Sequence, residues 1–219
     1  NIPSDTLNVL SAENVSIPAG TDFSAFEVLG QLDVSNNGMF TISSSAVFPD
    51  SLTSLDIGGC TSITSLSFLP TDLTSLSIAG LTLTDSSISL LATYTLLEVL
   101  NASDLGLTDL DLLDIASIST LTTLDVSANS LTDISLLFQL SEWTSLDVSQ
   151  NKLCGVTDEI FKPFFTLSDS ITITTGNEPI STAIDQDDAY CGYCSGSTPS
   201  VDPSSNVVCK EVWSGEYHT

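Results

Sequence analysis

One register constrains this chain more than anything else in it. The pattern L-x-x-L-x-L-x-x-N-x-L appears as LNVLSAENVSI from Leu7, LGQLDVSNNGM from Leu29, LTSLDIGGCTS from Leu52 and LTSLSIAGLTL from Leu73. It continues as LEVLNASDLGL from Leu97, LTTLDVSANSL from Leu121 and WTSLDVSQNKL from Trp143, with starts 22, 23, 21, 24, 24 and 22 residues apart. A degenerate eighth copy, SDSITITTGNE, begins near Ser168. Apolar side chains at positions 1, 4 and 6 of each unit alternate, so they point to one side of a short extended segment. A single unit of this length cannot bury them, whereas a stack of units can, which predicts a coil repeated along an axis.

Seven copies in one register identify the chain with the leucine-rich repeat family over about four-fifths of its length. The resemblance implies a strand-dominated α/β fold, a right-handed solenoid whose parallel β-sheet lines the concave face. The 21 to 24 residue lengths resemble the short-repeat members, with 3₁₀ or irregular segments on the convex side. The solenoid is expected over residues 1–180, as seven to eight repeats, with a C-terminal cap and tail over 181–219.

The asparagine at position 9 follows from the backbone turn after each strand. The turn leaves buried amide groups without a ladder partner, and an inward asparagine side chain both donates to and accepts from them. Asn37, Asn129 and Asn151 hold that position, but Val15, Cys60, Leu81 and Leu105 replace it elsewhere. Cysteine fits the family's pattern; leucine predicts a turn that closes differently. Cys60 reads as a buried free thiol, since an apolar site disfavours the thiolate.

Outward positions 3 and 5 supply the concave face. Position 3 carries Val9, Gln31, Ser54, Ser75, Val99, Thr123 and Ser145; position 5 carries Ser11, Asp33, Asp56, Ser77, Asn101, Asp125 and Asp147. Neither column holds tyrosine, tryptophan or arginine, the residues that usually anchor a tight protein interface. Adjacent strands about 4.8 Å apart bring Asp33 beside Asp56 and Asp125 beside Asp147. Such pairs are candidates for Ca²⁺, which takes six to eight oxygens, although no loop of calcium-binding spacing accompanies them and solvation is the plainer reading. No other cofactor is indicated.

Charge excludes some partners. The net charge is −25 because lysine and arginine number only 3 against 28 acids, the cations being Lys152, Lys162 and Lys210. Nucleic acid and anionic lipid find few cations here with which to release counterions. No apolar run is long enough to span a bilayer. Catalysis has little to work with: the sole histidine is His218, and there is no zinc-protease motif, phosphate loop or nucleophile beside a base, so the chain reads as a non-enzyme.

Four of the five cysteines, Cys154, Cys191, Cys194 and Cys209, cluster at the C-terminal end. The Cys191-Gly192-Tyr193-Cys194 element is compatible with half a zinc site or a redox pair, but a disulfide-stapled cap is favoured; four cysteines permit three connectivities. Two sequons, at Asn14 and Asn101, and a Ser/Thr/Pro-rich stretch, SGSTPSVDPSSNVV, agree with a glycosylated extracellular or cell-surface chain. The start at Asn1 reads as a processed or truncated product, and nothing cysteine-bearing caps the first repeat. The function expected is a binding or adhesion module for a protein or carbohydrate ligand. The alternative is a structural subunit of a coat or filament in which copies of the chain pack end to end.

Overall fold

The computed structural model describes residues 6–42, 47–140 and 142–152, together with the backbone of strand 172–174. Seven three-residue strands fall on positions 3 to 5 of the seven repeats: β1 Val9–Ser11, β2 Gln31–Asp33, β3 Ser54–Asp56, β4 Ser75–Ser77, β5 Val99–Asn101, β6 Thr123–Asp125 and β7 Ser145–Asp147. An eighth, β8 Thr172–Thr174, pairs with β7, and all eight form one parallel sheet in chain order. Register is strict, with Leu10, Leu32, Leu55, Leu76, Leu100, Leu124 and Leu146 in one row. The repeat frame from Ser168 would put the last strand two residues earlier than β8. An even shift keeps an isoleucine, Ile173, in register with Leu146, because side chains alternate with a period of two.

The leucine row from Leu32 to Leu146 is buried, as are Leu29, Leu52, Leu73, Leu97, Leu121 and Trp143 at position 1. Each such burial contributes about 1.5–3 kcal/mol. Trp143 fits the row because its indole N–H donates to the Leu137 carbonyl at 3.4 Å. In the first two coils Phe23 and Phe40 meet edge to face at 6.1 Å. Convex segments are shaped by apolar residues three apart: Ile88, Leu91 and Tyr94; Leu112, Ile115 and Ile118; Ile134, Leu137 and Leu140, all buried. The two 24-residue repeats form short α-helical turns, α1 Asp85–Ile88 and α2 Leu112–Ala116, where only 3₁₀ or irregular structure was expected. In the first of these repeats a 3₁₀ turn, Ser89–Thr93, follows α1 directly, and the next, 22-residue repeat uses a 3₁₀ turn, Ser135–Gln139.

All seven turns place position 8 in the left-handed region, at Asn14, Asn36, Gly59, Gly80, Asp104, Ala128 and Gln150, with φ between 52° and 69°. A side chain there costs roughly 1–2 kcal/mol, so something must hold the turn. Asn129 shows what does. Its Oδ1 accepts from the N–H groups of Leu105 and Leu107 at 3.0 and 2.9 Å, and its Nδ2 donates to the carbonyls of Ala102, Val126 and Ser127. Asn37 does the same for Val15, Ile17, Ala12, Val34 and Ser35, and Asn151 for Leu131, Val126, Val148 and Ser149. Each asparagine thus clamps its own turn and that of the preceding coil.

Of the two leucine-substituted turns expected to close differently, that of Leu81 does and that of Leu105 is held by Asn129; the Cys60 turn, expected to fit the family pattern, closes as that of Leu81 does. Cys60 and Leu81 donate their own backbone N–H to the carbonyls of Ile57 and Ile78, at 3.1 and 3.3 Å. Cys60 Sγ also donates to the Val34 carbonyl at 3.1 Å. The third and fourth turns are clamped by no asparagine, their own or the next coil's, and they alone among the seven carry glycine at position 8. The first and fifth, with Val15 and Leu105, borrow Asn37 and Asn129.

Candidate functional site: the concave face

Positions 3 and 5 form two columns on the concave side of the sheet, while the position 4 leucines face inward. Position 5 does more than face solvent. One carboxylate oxygen of Asp33, Asp56, Asp125 and Asp147 accepts the backbone N–H two residues on, from Ser35, Gly58, Ser127 and Ser149 at 2.8–2.9 Å. Asn101 does this with its Oδ1, from the Ser103 N–H at 3.1 Å and the Ser103 hydroxyl at 2.8 Å. These are Asx turns, and they bend the chain out of the strand after three residues. The sequence signal for this role is Asp or Asn two residues before Ser or Gly, a pattern distinct from the pairing of acids across strands.

The expected acid pairs do stand opposite one another, Asp33 with Asp56 and Asp125 with Asp147. Each spends an oxygen on its own turn, and the second oxygen of Asp33 accepts from the Ser11 hydroxyl at 3.2 Å. Among the described residues no three His, Cys, Asp or Glu side chains gather as a metal group.

Beside the columns, the hydroxyls of Thr53, Thr74, Thr122 and Thr144 donate to carbonyls of the preceding coil, at Gly30, Thr53, Glu98 and Thr122. This edge is therefore internally satisfied. Val9 and Val99 are the exposed apolar members of the face. Its side chains are small, so the surface is smooth, and its charges are acidic.

On the convex side Asp109 pins two coils together. Burial pushes its carboxyl up, but hydrogen bonds from the Thr132 hydroxyl and from the Thr132 and Asp133 N–H groups outweigh this and hold it below the ordinary value. Cys60 is buried and free. Burial pushes its thiol up, opposed by a hydrogen bond with Asn37 and reinforced by the charges of Asp56 and Asp33.

The two sequons lie in different settings. Asn14 is exposed at the left-handed position of the first turn. Asn101 is half-buried in the middle of the position 5 column, its amide nitrogen without a partner among the described residues. Cys154, Cys191, Cys194, Cys209, the Ser/Thr/Pro-rich stretch and residues 1–5 lie outside the described residues. No helix among the described residues is long and apolar enough to cross a membrane.

Solved structures with the same fold include internalin C2 of Listeria monocytogenes, 24% identical over 76% of this chain and 80% of that one, with a TM-score of 0.56. An internalin (inlF) of the same species is 20% identical over 72% of this chain, TM-score 0.54. A leucine-rich repeat protein of Leptospira interrogans is 15% identical over 79%, TM-score 0.55. The chain covers 46% and 44% of those last two. No family model matches the chain, and no curated protein matches it. At these identities the likeness is one of fold.

Proposed function

We propose that this leucine-rich repeat solenoid is a non-enzymatic binding or adhesion module of an extracellular or cell-surface protein, and that its concave face takes a protein or carbohydrate ligand. The observation that carries the reading is the strict register of seven repeats, which lays two straight columns of outward side chains on one continuous face. Because those side chains are small and acidic, the ligand supplies the bulky or cationic groups of the contact. A panel of immobilised surface glycans and matrix proteins, probed with the wild-type chain and with Thr123→Arg, tests it. Thr123 is half-buried in the position 3 column. Binding that Thr123→Arg abolishes, but that an equal charge change at the convex, exposed Leu113 leaves intact, is expected. Equal loss from both substitutions would remove the concave face from consideration.

One observation favours a second reading, a glycosylated subunit of a coat or filament. The Asx turn at Asn101 uses only Oδ1, so a glycan on the amide nitrogen would leave both bonds to Ser103 in place and would rise from the middle of the concave face. The sequon at Asn14 supports the same secretory setting. Peptide mapping by mass spectrometry of native material decides between the readings. Glycan on Asn101 favours assembly, and a bare Asn101 beside an occupied Asn14 leaves the ligand face open.

A further inference from the structure

The solenoid carries a second surface, on the flank where the convex return of each coil leads into the next strand. A groove there crosses the junctions between the first four repeats. Its floor is made by the buried rings and methyls of Phe48 and Leu69. Its walls include Pro49 and Pro70, which stand at equivalent places one coil apart and fix φ, so the groove is formed in advance of any ligand. Its rim carries three exposed acids, Glu27, Asp50 and Asp72, one from each of three successive coils. The only Lys or Arg among the described residues, Lys152, belongs to the seventh repeat, so no lysine or arginine within the groove answers these charges.

We propose that this groove docks an extended basic segment of a partner protein, with one apolar side chain seated between two cationic ones. Spacing selects the ligand. Strands of neighbouring coils are about 4.8 Å apart, so acids on the first and third of three successive coils are separated by about 10 Å along the axis. An extended peptide advances about 3.3 Å per residue and turns alternate side chains to the same face, so a cation, an apolar residue and a second cation at every other position face the groove together. The cation backbones lie about 13 Å apart, and the long lysine stems reach inward to acids about 10 Å apart while the apolar side chain sits over Phe48 and Leu69. The surface is separate from the concave columns, and its use does not depend on what they bind.

The test is a titration of the isotopically labelled chain with the peptide Ac-Gly-Lys-Ser-Leu-Ser-Lys-Gly-NH2, followed by amide chemical shifts. Shifts centred on Ser24, Phe48 and Thr71 are expected, with affinity lowered about tenfold when Glu27→Gln, Asp50→Asn and Asp72→Asn are combined. Two control peptides, one with both lysines acetylated and one with the leucine replaced by glycine, are each expected to bind more weakly. These controls keep the test decisive even if the triple variant is poorly folded. Shifts spread along the acids of the concave columns, with equal loss when Asp125→Asn and Asp147→Asn are combined, would show attraction to net charge alone and overturn the proposal. So would the absence of shifts at millimolar peptide, or a leucine-free peptide that binds as well as the parent.

Discussion

Replacing Asn129 by alanine tests the central structural claim. The side chain is 7% exposed and makes five hydrogen bonds, two accepted from the N–H groups of Leu105 and Leu107 and three donated to the carbonyls of Ala102, Val126 and Ser127. Alanine leaves both amides without an acceptor. A buried donor left unsatisfied costs about 1–3 kcal/mol, so the pair costs about 3–5 kcal/mol once some water entry is allowed for. That is a large part of the roughly 5–15 kcal/mol that holds a typical domain. Ala128, at φ 55°, also loses the clamp that offsets its strain. Urea unfolding supplies the global number, and hydrogen exchange at Leu105 and Leu107 localises it, since coils coupled only to their neighbours open locally. A second change, Ala128→Gly, should recover about 1 kcal/mol, in keeping with Gly59 and Gly80 at the unclamped turns. A loss below about 1 kcal/mol with unchanged exchange at those two amides would refute the view that the asparagine satisfies groups the coil cannot satisfy itself.

Tyr94 is 1% exposed, its hydroxyl has no hydrogen-bond partner among the described residues, and burial pushes its pKa well above the ordinary 10.0. A raised pKa in the fold means stability that is intact below about pH 10 and falls as the pH rises beyond it, because only the unfolded chain ionises freely. Tyr94→Phe is therefore expected to be neutral or slightly stabilising at pH 7 and to flatten the alkaline decline; an unchanged decline would show that another group causes it. At Asp125, alanine should cost about 1 kcal/mol in chemical denaturation by uncapping the Ser127 N–H, whereas asparagine should cost little, since Asn101 makes the same bond with an amide. Equal losses from the two would contradict the turn-capping role. With a net charge of −25, the melting temperature should rise with salt as self-repulsion is screened. Ca²⁺ raising it beyond a monovalent salt of matched ionic strength would point to the Asp33–Asp56 and Asp125–Asp147 pairs, and a melting temperature flat across salt would count against the repulsion argument.

Much of this molecule was readable from its period alone. In a solenoid each coil contacts only its neighbours, so one spacing determines the strand positions, the inward row from Leu10 to Leu146 and the membership of the two concave columns. It also placed the asparagines inward, because any turn at that point of the coil must find partners for its amides. What the period could not decide are the features that depend on two unlike coils meeting. Whether Val15 and Leu105 lie in open or clamped turns depends on what stands at position 9 of the next coil, and the same is true of Gly59 and Gly80. Whether a convex segment winds as α or 3₁₀ does not follow from repeat length, since of two 24-residue repeats one runs from Asp85–Ile88 into the 3₁₀ turn Ser89–Thr93 and the other forms Leu112–Ala116 without one. The flank groove needed Phe48 and Pro49 brought to one lining with Leu69 and Pro70, residues some twenty positions apart that no single repeat contains. Local alternation is a property of each unit, so the sequence carries it; complementarity between neighbours appears only once the units are stacked.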